Sequence, residues 1–378
     1  MPQAVIAGYA RSPFTLAKRG ALARVRPDDI AAQVVRALVA RSGVAAADIE
    51  DLIVGCAFPE GEQGLNVARL IGLLADLPIS VAGMTVNRFC GSSMHAVHIA
   101  AGQIALGAGE VFVCAGIESM SRVPMMGFNP MPNPALVAKN AAAYIGMGDT
   151  AENVARQWRI PRAEQEEFAV RSHTRAAAAQ AGGRFAGELV AIAGKAGSTE
   201  ADGCIRPETS AAALAELKPA FSKDGSVTAG TSSPLTDGAA AVLVCSEAYA
   251  ERTGLSPLAR IRSVAVAGCA PEIMGIGPVA ATRKALARAG IGIGEIGVVE
   301  LNEAFASQAL ACVRELGIEE ATLNLDGGAI ALGHPLGATG ARIVGKAASL
   351  LVREGARYAL ATQCIGGGQG IATILERV

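Results

Sequence analysis

Aromatic side chains are scarce, 4% of 378 residues with a single tryptophan, which argues against an aromatic-rich binding surface. An excess of either charge is also missing: 33 basic residues face 34 acidic ones, a net charge of −1. No global field is therefore available to hold nucleic acid or an anionic membrane, and an anionic ligand must rely on a local basic patch. No uninterrupted apolar run approaches the ~18 residues of a spanning helix. MPQAVIAGYARSPF has no basic, apolar and small-residue leader pattern, and Leu375-Glu376-Arg377-Val378 is not a peroxisomal tripeptide; the expected address is the cytoplasm. Eight cysteines at 56, 90, 114, 204, 245, 269, 312 and 364 lack paired spacing, so neither a disulfide framework nor a zinc knuckle is suggested. His95 and His98 share a helix face without a third ligand in view, so no metal is expected.

What the chain does have is apolar residues, 51% of the total, and 45 glycines. Its length implies two or three domains. Ala4 to Gly8 reads as a buried strand, and Pro27-Asp28-Asp29 opens an amphipathic helix. Asp51 to Gly55, the segment before Cys90, and Val111 to Ala115 read as further strands, with helices between them. This alternation predicts an α/β fold with a largely parallel sheet. The order then recurs: Pro278 opens a helix followed by the strand Val298 to Leu301, and a helix after Gly340 leads into Tyr358 to Thr362. Two similar α/β halves follow from that recurrence. Between them Ser119 to about Leu235 breaks the rhythm, as an insertion carrying specificity does.

Cys90 in Asn87-Arg88-Phe89-Cys90-Gly91-Ser92-Ser93-Met94 stands just ahead of a helix. Helix N–H groups and the helix dipole there favour a thiolate, the nucleophilic form; the plainer reading is a buried structural cysteine. Three later motifs accompany it. Asn302-Glu303-Ala304-Phe305-Ala306 follows a strand, and its amide is suited to an oxyanion or a water, or else to an N-cap. His334 lies in the glycine-rich run Gly327 to Gly340, placed to activate a thiol or to donate to an oxyanion. Cys364-Ile365-Gly366-Gly367-Gly368-Gln369-Gly370 reads as a hairpin whose second cysteine can move a proton and whose glycines admit a close ligand. It is a poor phosphate loop, since no Gly-Lys-Ser/Thr follows.

Together these four motifs resemble the thiolase family over essentially the whole chain. The resemblance implies two halves in a five-layered αβαβα arrangement with an inserted loop domain. Its boundaries would be 1–118 with 236–251, then 119–235, then 252–378. It further implies that Cys90 is acylated, that His334 takes its proton, and that Cys364 is the acid/base at the α-carbon. One oxyanion hole would use His334 with a water held by Asn302, the other the N–H groups of Cys90 and Gly366. Coenzyme A, a co-substrate rather than a resident cofactor, would lie along Arg206, Leu217, Ala220, Phe221, Ala229 and Ser233, with Met147 at the thioester end. Lys218 adds positive charge beside that path.

Thr228 to Ser233 and Ile205 to Thr209, with Gly146 beside Met147, look more like the thiolase subunit of bacterial fatty-acid β-oxidation complexes than like biosynthetic acetoacetyl-CoA thiolases. The expected reaction is thus CoA-dependent cleavage of a 3-ketoacyl-CoA. Condensation of two acetyl-CoA is the runner-up, and a non-catalytic thiolase-like scaffold or a thiol redox sensor stands behind both. A homodimer or homotetramer is implied, with a hydratase/dehydrogenase subunit as a further partner. A shortened connection at Gly194 to Gly203 bears on the outer edge of the CoA path and on that docking.

Overall fold

A computed structural model describes residues 2–195 and 197–378. In the first half, strand β1 (Ala4–Arg11) is followed by helix α1 (Pro27–Ser42), β2 (Asp51–Gly55), α2 (Val67–Leu74), β3 (Ala82–Val86), α3 (Ser92–Leu106) and β4 (Val111–Ser119). The local chemistry explains α1: proline opens it, Asp28 and Asp29 occupy its first turn, and Gly43 closes it at φ 74°. After the insertion, β5 (Thr236–Ser246) completes the first half. The second half runs β6 (Ala259–Gly268), α6 (Gly277–Ala289), β7 (Ile296–Leu301), α7 (Ala306–Leu316), α8 (Leu336–Glu354), β8 (Tyr358–Ile365) and β9 (Gln369–Glu376). The intervening segment holds α4 (Met147–Gln157) and α5 (Arg162–Ala181), along with a small ladder of Ile192–Gly194 on Gly197–Thr199.

The strands line up as β3-β2-β4-β5-β1 and then β6-β9-β8-β7. Among the described residues the two half-sheets pair through Val5 with Arg260 and Ile6 with Ala259. Each half has the same internal pattern: a parallel pair (β2–β4, β7–β8), then two antiparallel ones (β4–β5 and β5–β1; β8–β9 and β9–β6). The parallel bridge from Val299 to Leu323 stands where the first half has its parallel β2–β3 pair. The repeat is thus present in the pairing itself. The largely parallel sheet expected from the sequence is corrected to a mixed one. Parallel neighbours survive only where a helix crosses over, whereas the tight link at Gly366–Gly368 forces β9 back along β8.

Burial resolves five layers. On β5, Ala239, Ala241, Leu243 and Cys245 face one core with α1 and α2. Val242 and Val244, between them in sequence, face a second core with α3 and α8. The period of two persists even though the whole strand is buried. A third core packs α6 and α7 on the far face of β7, β8 and β9. The stack is therefore helices, sheet, the central pair α3 and α8, sheet, helices. Arg11, fully buried at the end of β1, bonds Glu188 at 2.7 Å and Asp202 at 2.7 and 2.8 Å, fastening the intervening segment to the core. Among the described residues no helix is long and apolar enough to cross a membrane.

Candidate active site

The two central helices bring the site together. Cys90 stands two residues ahead of α3 and His334 two residues ahead of α8, so the repeat sets them in equivalent places. At Gly340 the helices approach backbone to backbone: a Cβ there on α8 would lie 2.2 Å from the Met94 nitrogen of α3. Ala341 N–H also donates to Ser93 Oγ at 2.8 Å. The glycines around His334 therefore serve backbone-to-backbone packing as much as any ligand.

Locally, Phe89 adopts φ 43°, a left-handed conformation that a bulky residue rarely takes. Asn87 Oδ1 accepts from Phe89 N at 2.8 Å, and Asn87 Nδ2 donates to the Ala57 carbonyl at 2.9 Å. Gln363 Nε2 donates to the Cys90 carbonyl. Held by these bonds, Cys90 is 8% exposed, with the N–H groups of Gly366 and of Cys90 itself directed at its sulfur. Gly366 opens the β8–β9 link, where Gly367 and Gly368 take φ 79° and 82°.

A cleft of about 450 Å³ is lined by Cys90, His334 and Cys364 together with Met147, Phe221 and Ser233. The first half supplies Cys90, the second half His334 and Cys364, and the intervening segment the outer wall. That wall is pinned to the Asn302 motif: Ser233 N–H donates to the Ala304 carbonyl at 3.0 Å, and the Phe221 ring meets Phe305 edge-on at 5.9 Å. Met147 Sδ sits beside Gly366.

Electrostatics departs from the sequence expectation. The Cys90 thiol is raised to about 11, chiefly by burial and in a smaller part by Glu118, against two N–H groups that lower it. A helix N-terminus stabilises an anion by only about 0.3–1 kcal/mol at an exposed position. Loss of water around the thiolate is the larger effect here, so the resting form is a thiol. His334 is held neutral, lowered to about 3 by burial and then by Arg342. Cys364 is raised well above the ordinary thiol range by burial and then by Cys90. Two thiols and a neutral imidazole thus share one cleft.

Asn302 is fully buried, and its Nδ2 lies 3.3 Å from His334 Nε2. It caps nothing, since Phe305 is the N-cap residue of α7. Of the residues expected along CoA, Ala220, Phe221, Ser233 and Met147 line the cleft, whereas Arg206, Leu217 and Ala229 do not. Those three are exposed outside it. His173 is buried and accepts from Arg206 N–H at 3.1 Å. His95 and His98 stack edge-on, and no group of three or more His, Cys, Asp or Glu among the described residues is placed for a metal ion.

Two family models span nearly the whole chain: the thiolase N-terminal domain matches residues 4–248 and the thiolase C-terminal domain residues 255–377. The chain belongs to the thiolase family. It is 48% identical to a 3-ketoacyl-CoA thiolase of Bacillus subtilis (strain 168), over the full length of both. With a 3-ketoacyl-CoA thiolase of Marinomonas sp. (strain MWYL1) it shares 49% identity over 99% of this chain and 98% of the relative. The crystal structure of human mitochondrial 3-ketoacyl-CoA thiolase superposes with a TM-score of 0.92 at 36% identity, covering 100% of this chain and 99% of that one. The same human protein in complex with CoA gives a TM-score of 0.92 and 36% identity over 100% and 98% of the two chains.

Several anchors of this thiolase site escaped the sequence reading. Glu118, buried on β4, accepts from Ala57 N, Phe58 N, Gln63 Nε2 and, at 2.9 Å, Gly337 N, which ties the start of α8 to the first half. Glu303 accepts from Ser172 Oγ at 2.6 Å, Asn324 Nδ2 at 2.7 Å and Ile330 N at 3.1 Å, locking α5 to the chain before His334. Glu303 was in view beside Asn302. Glu118 gave no local signal, because its partners are distant in sequence.

Proposed function

We propose that this chain is an acyltransferase that cleaves a 3-ketoacyl-CoA with CoA, giving acetyl-CoA and a shortened acyl-CoA. The observation that carries the reading is the cleft in which Cys90, His334 and Cys364 meet. The Cys90 proton passes to His334 as the sulfur attacks the 3-keto carbon. The C2–C3 bond then breaks, leaving an acyl group on Cys90 and an enolate of acetyl-CoA that takes the Cys364 proton at C2. CoA next gives its thiol proton to Cys364 and attacks the acyl group, and Cys90 leaves with the proton held on His334. Both tetrahedral steps place negative charge on an oxygen, which the N–H groups of Cys90 and Gly366 and the pair Asn302–His334 are suited to receive. Burial fits this order: neither thiolate nor imidazolium is favoured at rest, so charge develops only as bonds change.

Coenzyme A is read as lying over Met147, Ala220, Phe221 and Ser233, then outward past Ala229 and Leu217 to Arg206, with Lys218 nearby. We divide the chain at 1–118 with 236–251, 119–235, and 252–378. A place in fatty-acid β-oxidation, a cytoplasmic address and a hydratase/dehydrogenase partner belong to the same reading. So does a homodimer or homotetramer, supported by the open sheet edge at β3 with Leu106 of α3, 85% exposed, on the same half. Run in reverse, the same groups join two acetyl-CoA; the relatives, named for 3-ketoacyl-CoA, favour cleavage.

The test is the initial rate of CoA-dependent cleavage of 3-ketoacyl-CoA substrates from four to sixteen carbons, with Cys90→Ser and Cys364→Ala alongside. Turnover beyond four carbons, lost in both variants while their folds persist, is the expected result. Full turnover in Cys90→Ser would overturn the assignment, and activity confined to acetoacetyl-CoA would move it to the biosynthetic reaction.

A further inference from the structure

An imidazole serves as a base only through the nitrogen that lacks a hydrogen, and the partner of the other nitrogen decides which one that is. In this site that partner is a threonine. Thr339, fully buried in the first turn of α8, has its hydroxyl oxygen 2.6 Å from His334 Nδ1. The same oxygen lies 2.9 Å from the carbonyl of Pro335, four residues earlier. A carbonyl only accepts, so the single hydroxyl hydrogen is committed to Pro335, and Oγ1 is left to accept from His334 Nδ1–H. On the other side of the ring the Asn302 amide lies 3.3 Å from Nε2, a contact that suits either tautomer according to which way the amide is turned. The threonine contact is therefore the one that selects the tautomer.

We infer that Thr339 is a positioning residue that holds His334 in its Nδ1–H form, leaving Nε2 to take the proton of Cys90. The inference rests on the reading of His334 as the base. Thr339 is fixed by the fold and not by substrate: its backbone belongs to α8, and its hydroxyl bond to Pro335 is the i to i−4 bond open to a threonine in a helix. The Pro335 carbonyl also takes the N–H groups of Ala338 and Thr339, both at 3.0 Å, which fixes it in the first turn of α8 within reach of the hydroxyl. The proton then has one route: it leaves Cys90 Sγ, arrives on Nε2, and the resulting imidazolium donates from Nδ1 to the same hydroxyl oxygen that held the neutral ring. No side-chain rotation intervenes between the two states.

The experiment compares the wild-type protein with Thr339→Val, which keeps the shape and removes the hydroxyl, Thr339→Ser, which restores it, and His334→Ala. Three quantities are read: the rate at which iodoacetamide alkylates Cys90 between pH 6 and 9, kcat and KM for acetoacetyl-CoA thiolysis, and the imidazole 15N shifts, which report the tautomer directly in a chain with four histidines. A neutral hydroxyl orients a ring less firmly than a buried carboxylate does. The expected loss in Thr339→Val is accordingly about 10-fold to 100-fold in alkylation and kcat, by analogy with removal of the hydrogen-bond partner of a metal-ligating histidine. KM should change by less than roughly threefold, and Thr339→Ser should recover most of the loss. The 15N signature of His334 should shift from Nδ1–H toward Nε2–H in Thr339→Val. Wild-type alkylation in Thr339→Val, with His334→Ala slow, would overturn the role of Thr339 alone. Wild-type alkylation in His334→Ala would overturn the base itself, and an Nε2–H tautomer in the wild-type protein would overturn the inference even if Thr339→Val failed to fold.

Discussion

Gly340→Ala tests whether the approach of α8 to α3 sets the reaction geometry. The added Cβ would fall 2.2 Å from Met94 N, 2.8 Å from Met94 Cβ and 2.9 Å from Met94 Cα. Two of the three are backbone atoms of a buried helix, so no side chain can swing away. Ordinary contact begins near 3.4 Å, and the helices must therefore separate by roughly 1.2 Å in a core packed like a solid. Such overpacking costs about 1–3 kcal/mol. Because Cys90 and His334 stand at the entrances of these two helices, the displacement falls between the groups proposed to exchange a proton. A misplacement of ~1 Å costs about 100-fold in rate. The assay is steady-state thiolysis of acetoacetyl-CoA together with urea unfolding. Gly102→Ala on α3 is the control, since a Cβ there meets nothing within 4 Å and should stabilise the helix by about 0.5–1 kcal/mol. A Gly340→Ala protein with native kcat and native unfolding midpoint would refute the reasoning.

Arg11→Met leaves the buried Asp202 carboxylate with the Phe14 N–H at 2.8 Å but without its counter-charge, and Glu188 with Lys346 at 3.0 Å. A loss of about 3–5 kcal/mol is expected, read as a lower urea midpoint, with earlier proteolysis of the segment between β4 and β5 than of the sheets. His98 gives a pH test. It is buried beside Thr373 at 2.8 Å, and burial lowers it to about 3, below an unfolded value near 6.5. Only the unfolded chain takes up the proton between these limits, so the contribution is complete above about pH 6.5 and falls by ~1.4 kcal/mol per pH unit as pH drops toward 3. Unfolding of wild-type protein and His98→Gln at pH 7.5 and 5.5 should show the wild-type losing about 1.4 kcal/mol more than the variant; parallel losses would contradict the burial of a neutral ring.

The elements were legible where the chain announces them locally. Pro27 and Pro278 open their helices, Gly43 and Gly290 close them in the left-handed conformation, and the recurrence of these signals gave the repeat. Cys90 and His334 stood out because a thiol and a rare histidine each precede a helix. The direction of pairing was not legible, since β5 finds its neighbours only after more than a hundred intervening residues. The state of the Cys90 thiol was misjudged for a related reason: the helix start is visible in sequence, while the burial that dominates it comes from β8, α8 and the wall around Phe221. Thr339 lay in plain sight within the His334 run, but its meaning depends on where the imidazole ring turns.

The matching entrances of α3 and α8 carry one more consequence. Two identical halves joined in this way would present the same side chain twice, so that no separate nucleophile and base would face each other. The backbone symmetry has therefore to be kept while the side-chain symmetry is broken: a thiol on one side, an imidazole on the other. Exchanging Cys90 and His334 would preserve the composition of the pair and still fail, because Thr339 and Asn302 orient a ring at only one of the two entrances.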